Sequence, residues 1–363
     1  MAEGSAYTEI LRALPVSEIS KPLTKKIKKN WDDLAIPLDS MGKFSKILTR
    51  IGAILKDESI DIGKKIVFVM CADNGIVAEG ISQSGQEVTR IVAEGMGQGQ
   101  SSVCKMAMRA GIHTLPVDVG INTKAKLIGV RFCKIREGSR NFLQEPAMTP
   151  EETLQAMTVG MELVREFRDR GYRLIGTGEM GIGNTTTSSA VATALLREDV
   201  KKMTGRGAGL DDERLKQKCS VIEQALKKYG LRENDMDAFT ILQTVGGYDI
   251  AALTGVFIGG AVYGLPIVLD GIISMTAALV AVRIRPEVRD FLIPSHESRE
   301  PAVQTLMEAL QVTPVIQGDM ALGEGTGAVM MMELLDMAAA VYQEMRTFSD
   351  AKIDPYERFN AQE

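Results

Sequence analysis

Gly178-Glu179-Met180-Gly181-Ile182-Gly183-Asn184-Thr185-Thr186-Thr187-Ser188-Ser189 follows directly on the strand-like run Tyr172-Arg173-Leu174-Ile175. A strand that runs into glycines and then a string of hydroxyls has the make-up of a β-to-α turn. Glycine lets the backbone turn tightly, and the helix that follows opens with unpaired N–H groups. Fixed dipoles at such a helix start favour an anion, a phosphate above all. Glu179 stands inside the same run, so the loop is not merely a hole for negative charge. A group that is cationic, or becomes so during a reaction, belongs beside it.

Outward from this loop, short β-branched runs alternate with helical patterns. Strands are expected at residues 65–70, 113–119, 172–176, 266–269 and 291–293, each ending in a polar or glycine-rich turn. That alternation specifies an α/β fold, a Rossmann-like and mainly parallel sheet covered by helices. Thr149, Pro150 and Glu152 supply an N-cap, a first-turn proline and a capping-box acid. Leu154, Met157, Met161 and Val164 then form one apolar stripe. Asp211 caps a second helix whose Leu215, Cys219, Ile222 and Leu226 share a face. Residues 1–60 read as helical and charged. They are expected to pack with residues 336–363 as a small helical domain, leaving 61–335 as the large α/β catalytic domain.

Composition removes several function classes. The chain has 363 residues, 45% of them hydrophobic, enough for a sizeable core, and a net charge of −5 with no basic stripe to meet nucleic acid. The basic run from Lys21 to Lys29 is expected to be a solvated helix face. Cys71, Cys104, Cys133 and Cys219 are scattered without a C-x-x-C pair, a usage that fits a reducing cytoplasm. With only His113 and His296, no histidine metal site is expected. The first residues, with Glu3 and Glu9, lack the layout of a signal peptide. Residues 250–282 hold Asp270 as their single ionised side chain, but Gly259, Gly260, Gly264, Pro266 and Gly271 divide them into pieces of about ten residues. Core helix, buried strand and core helix fit that division better than a membrane span.

Ligands of open parallel sheets bind where the strands end, and the unusual sequences of this chain fall there. Gly176-x-Gly178-x-x-Gly181 formally satisfies the dinucleotide fingerprint, with Glu198 about twenty residues on. The polar run Asn184 to Ser189 suits it poorly, and a phosphate or nucleotide-sugar loop is favoured over a dinucleotide site or a purely structural turn. Gly323-Glu324-Gly325-Thr326-Gly327 sets a carboxylate between glycines at a helix start. This is either an acid favoured by the helix dipole or one aimed at a flat substrate that approaches the glycine backbone. Gly205-Arg206-Gly207-Ala208-Gly209 with Lys218 reads as a second part of a phosphate site or as a surface loop. Met330, Met331 and Met332 read as core filler. Ser295-His296-x-Ser298 with Glu300 superficially suggests a hydrolase, without the G-x-S-x-G elbow.

Seven motifs, in order, carry a resemblance that spans about residues 73–335: Ala72-Asp73-Asn74-Gly75 with Glu79-Gly80, Gly178 to Thr186, Gly205-Arg206-Gly207, Val245-Gly246-Gly247, Leu269-Asp270-Gly271, Ser295-His296-x-Ser298-x-Glu300 and Leu322 to Gly327. Together they resemble the nicotinate-nucleotide:dimethylbenzimidazole phosphoribosyltransferase family of cobalamin lower-ligand activation. The resemblance implies transfer of 5-phosphoribosyl from nicotinate mononucleotide to an aromatic base such as 5,6-dimethylbenzimidazole, giving the α-riboside 5'-phosphate and nicotinate. It implies Glu324 as catalytic base beside Leu322 at the acceptor ring, and Glu179 as a second catalytic carboxylate. Gly181, Gly183, Asn184 and Thr185 would border the nucleotide, with Gly207, Lys218 and Ser298 as phosphate or ribose contacts and Ser82 and Ser84 in the base pocket. No cofactor and no metal are implied, and the partners are small-molecule substrates, not nucleic acid or membrane. A cytoplasmic homodimer is implied, a hetero-oligomer with a paralogue being the alternative. Two departures, Asn74 where the family commonly has histidine and the Ser82 to Gly85 stretch, are expected on the acceptor side. They leave purines and phenols open as acceptors, a phenol giving an O-glycoside. From another class, an NAD(P)-dependent oxidoreductase remains the alternative.

Overall fold

The computed structural model describes residues 2–357, with side chains described from residue 6 onward. Residue 1 and residues 358–363, part of the expected small helical domain, lie outside the described residues. Six strands form the central sheet: β1 Lys65–Ala72, β2 His113–Gly120, β3 Arg131–Phe132, β4 Leu174–Met180, β5 Ile267–Val268 and β6 Leu292–Ile293. Their order is β3-β2-β1-β4-β5-β6 and every pairing is parallel. The chain is thus α/β with a Rossmann-like sheet, and all five expected strands are present. The two-residue edge strand β3 and a second, two-stranded parallel sheet of β7 His296–Ser298 and β8 Ile316–Met320 carry no signal in the sequence.

The helices are α1 Ala2–Arg12, α2 Lys21–Asp33, α3 Lys43–Leu55, α4 Glu87–Gly97, α5 Ser102–Arg109, α6 Pro150–Asp169, α7 Asn184–Leu196, α8 Val200–Met203, α9 Asp212–Tyr229, α10 Ala238–Val245, α11 Tyr248–Tyr263, α12 Ile272–Ile284, α13 Val303–Leu310, α14 Thr326–Glu344 and α15 Phe348–Ala351. The start signals act as read. Thr149 and Glu152 form a reciprocal capping box on α6, and Asp211 accepts the Arg214 N–H at 2.8 Å.

Alternation along β1 sorts the two cores. Ile66, Phe68 and Met70 point into one, with α6, α7, α11 and α12; Val67, Val69 and Cys71 point into the other, with α2, α3, α5 and α14. On the first face α6 and α11 approach through small residues. A Cβ on Gly160 would sit 2.0 Å from the Ala252 carbonyl oxygen and one on Gly255 1.9 Å from that of Met157. Residues 250–282 are core helix, strand and core helix, and no described helix is long and apolar enough to cross a membrane. The N-terminal helices divide between the faces. Trp31 of α2 packs on Tyr342 of α14 with ring centroids 4.9 Å apart, whereas Tyr7 of α1 stacks on Phe239 of α10 on the opposite face.

Candidate active site

Strand order reverses between β1 and β4, and a crevice opens outside their carboxyl ends. There lies a cleft whose walls include both the Gly181–Thr185 turn and Gly323-Glu324. β4 runs on through Met180, so Gly178 and Glu179 belong to its end, and the turn proper is only Gly181 to Gly183. The glycine at 178 has a steric reason. A Cβ there would lie 2.3 Å from the carbonyl oxygen of Glu324.

Glu324 occupies a conformation rarely adopted by a residue with a side chain. Its φ is +61°, between Gly323 at +80° and Gly325 at +94°, a run of left-handed residues that costs energy unless held from outside. Asp270, just beyond β5, does the holding. Its Oδ2 accepts the Gly325 N–H at 3.2 Å, and its Oδ1 accepts those of Gly327 at 2.8 Å and Ala328 at 3.3 Å. Asp270 is itself fixed, because its own N–H donates to Ser274 Oγ, which bonds Thr177 Oγ1. Burial raises the Asp270 carboxyl above its ordinary range, opposed by His296 and by these N–H groups. The Glu324 carboxylate reaches away from its own loop and accepts the Val103 N–H at 3.1 Å.

Beneath the cleft lies a chain of buried acids. Asn184 donates through Nδ2 both to Glu179 and, at 3.1 Å, to Asp249. Protein surrounds the Glu179 carboxyl although one edge meets the cleft. This burial, reinforced by Asp249, Asp270 and Glu324 and opposed by the Asn184 bond, pushes it up to about 8. Burial likewise pushes Asp249 up to about 6. At neutral pH the Glu179 carboxyl is therefore mostly protonated, able to donate as well as accept.

Helix starts with glycine N-caps border this cleft at α7, α12 and α14, and they differ in what fills them; that of α12, at Gly271, has no side-chain cap. The start of α14 is occupied by the Asp270 carboxylate. That of α7 has Gly183 as its N-cap, at φ +93° and with no side-chain cap, so its dipole is left for an anion from outside. Lys218 stands one layer behind: fully buried, its Nζ donates to Thr185 Oγ1 at 2.9 Å and to the Gly205 carbonyl at 3.1 Å. Burial pushes its ammonium down to about 8, against the pull of Glu300. Glu300 also accepts the Gly207 N–H at 3.1 Å. Ser298 lines the wall with a buried hydroxyl that has no hydrogen-bond partner among the described residues.

Of the residues singled out in the sequence, Glu324, Glu179, Gly181, Gly183, Asn184, Thr185, Gly207, Ser298, Leu322 and Ser82 all border this one cleft. Lys218 and Ser84 do not; Ser84 sits behind Ser82, its N–H donating to Ser82 Oγ at 3.2 Å. Asn74 is fully buried behind the Gly181–Gly183 turn, its Nδ2 3.5 Å from the Ile182 carbonyl, and does not line the cleft itself. The adjacent Asp73 accepts the Asn122 N–H at 2.7 Å, so this motif braces loops. Met331 and Met332 are core filler, but Met330 is exposed. Asp249 and the Val103 N–H escaped the sequence reading. Asp249 lies in an otherwise apolar helix, and an acid there is the signal that was available.

The chain matches the phosphoribosyltransferase family model over residues 16–353. It is similar to the nicotinate-nucleotide–dimethylbenzimidazole phosphoribosyltransferase of Ruminiclostridium cellulolyticum, 41% identical over 94% of this chain and 96% of that one. The protein of the same name from Acetivibrio thermocellus is also 41% identical, over 94% and 97%. Among solved structures, CobT from Thermus thermophilus superposes with a TM-score of 0.87 at 35% identity, covering 92% of this chain and all of that one. The chain therefore belongs to the nicotinate-nucleotide–dimethylbenzimidazole phosphoribosyltransferase family.

Proposed function

We propose that this protein is a pentosyltransferase that moves 5-phosphoribosyl from nicotinate mononucleotide to an aromatic lower-ligand base, giving the α-riboside 5'-phosphate and nicotinate. The observation that carries this is the shared cleft: Glu324 stands on one wall and the uncapped start of α7 on another. The donor phosphate lies toward Gly183, Thr185 and Gly207, its charge balanced by Lys218 and its remaining oxygens met by Ser298. The acceptor ring lies near Leu322 and Ser82, against the glycine backbone of residues 323–325.

As the acceptor nitrogen attacks the ribosyl C1, the bond from C1 to the pyridinium nitrogen breaks and its electron pair leaves with nicotinate, neutralising the ring. Positive charge on C1 in the transition state is stabilised by the ionised Glu324 carboxylate on the cleft wall, and the protonated Glu179 contributes as a hydrogen-bonding group. Glu324 takes the acceptor N–H proton. Holding both rings in one cleft supplies orientation.

A phenol acceptor, deprotonated by the same carboxylate to give an O-glycoside, is the second outcome of this chemistry. The buried polar start of α7 and the named relatives both disfavour the dinucleotide alternative. We assign the protein to the cytoplasm as a homodimer, with pairing to a paralogous subunit as the alternative, and its small domain to residues 1–60 and 336–363. Packing of α2 and α3 with α14 supports that partition, and the place of α1 across the sheet weighs against it.

The test is to supply nicotinate mononucleotide with 5,6-dimethylbenzimidazole, adenine and p-cresol and to identify products by mass spectrometry. A riboside phosphate of one of these with stoichiometric nicotinate is expected. Binding of NAD(P) without any transfer would overturn the proposal.

A further inference from the structure

We infer that the main-chain N–H of Val103, in the first turn of α5, is the positioning group for the Glu324 carboxylate. This rests on the assignment of Glu324 as the base. Two N–H groups of that turn have side-chain acceptors, one of them local and one distant. Ser101 is the N-cap, and its Oγ accepts the Cys104 N–H at 3.4 Å. The Val103 N–H, at the second helical position, is thereby left free of the cap and donates to Glu324 Oε2 at 3.1 Å, across 221 residues of sequence.

A glutamate side chain in a loop ordinarily samples several rotamers, and a proton acceptor with that freedom is seldom aimed. Here the backbone of Glu324 is pinned by Asp270 and by the close approach of Gly178. The Val103 N–H and the positive end of the α5 dipole then fix the carboxylate itself. One oxygen is spoken for, and the other is left to take the acceptor's proton. α5 is held in turn by Val103, Cys104 and Ala107, which are buried in the core shared with α14, so the group that aims the carboxylate is as rigid as the core.

Val103→Pro removes this one N–H at a helical position where proline is tolerated. Val103→Ala keeps the N–H while losing side-chain packing. Transfer turnover of the proline variant is expected to fall about 10- to 100-fold below that of the alanine variant, the loss of one hydrogen bond to a charged group. The KM for nicotinate mononucleotide should stay within about twofold of that variant's, because a positioning group acts on turnover rather than on donor binding. Equal turnover in the two variants overturns the inference.

If the proline variant fails to fold, valine-labelled protein read by amide NMR decides. On Glu324→Gln the Val103 amide should shift upfield and exchange faster, and an unmoved Val103 amide overturns the inference. Full transfer activity in Glu324→Gln would instead remove the base assignment, so the two failures are told apart.

Discussion

Gly178→Ala adds one methyl group where β4 touches the Glu324 loop. The new Cβ would lie 2.3 Å from the Glu324 carbonyl oxygen, 2.6 Å from its carbonyl carbon and 2.8 Å from the Gly325 nitrogen. All three are backbone atoms, so no side chain can swing aside. Restoring ordinary contact requires the loop to recede by about 1 Å. That displacement stretches the Asp270 bond to the Gly325 N–H and the Val103 bond to Glu324. A reacting group misplaced by about 1 Å loses roughly 100-fold in rate, and overpacking destabilises by about 1–3 kcal/mol. Steady-state transfer should therefore drop by about two orders of magnitude, while calorimetric binding of nicotinate mononucleotide changes by no more than a few-fold. Thermal unfolding of the variant separates the loss of rate from loss of fold. A well-folded Gly178→Ala with undiminished turnover would refute the tight coupling between β4 and the Glu324 loop.

Glu179 links the site to pH. Its folded-state value is raised from 4.5 to about 8 by burial, so the folded protein binds a proton that the unfolded chain releases. Its stabilising contribution is complete below about pH 4.5 and is lost as pH rises through about 8. Urea unfolding at pH 5 and pH 8 should show a smaller loss of stability in Glu179→Gln than in the unaltered protein, and equal losses would contradict the burial argument. Lys218→Met removes the ammonium behind Thr185. The KM for nicotinate mononucleotide should rise about tenfold or more, with little change for nicotinate riboside, which has no phosphate; equal changes for both would place the phosphate elsewhere.

The parts of this molecule that local chemistry dictates were readable in the sequence. β1 is buried on both faces and reads as an apolar run, and the Thr149-Glu152 capping box and the Asp211 cap announce α6 and α9. Other parts were not readable, because tertiary contacts create them. Arg131–Phe132 is a strand only by pairing with Val117 and Asp118 of β2. Thr186, Thr187, Ser188 and Ser189 are four hydroxyl side chains in a row, yet all are buried, since α7 is packed on every side. The glycine loops marked the cleft correctly because turns of that kind need glycine wherever they occur. What holds Glu324 depends on residues far away in sequence, Val103 and Asp270, and no spacing rule joins them to it. Asn74 is the converse case: it departs from the family's motif, and burial behind the Gly181–Gly183 turn, which no local pattern announces, keeps it out of the cleft lining.

Glu324→Gln, nearly isosteric and unable to take a proton, tests the central claim most directly. Single-turnover transfer to 5,6-dimethylbenzimidazole should fall by about 10²- to 10⁴-fold, while calorimetry shows nicotinate mononucleotide binding within about twofold of the unaltered protein. Transfer at the normal rate, or loss of donor binding in step with loss of rate, would contradict the assignment of proton removal to this side chain.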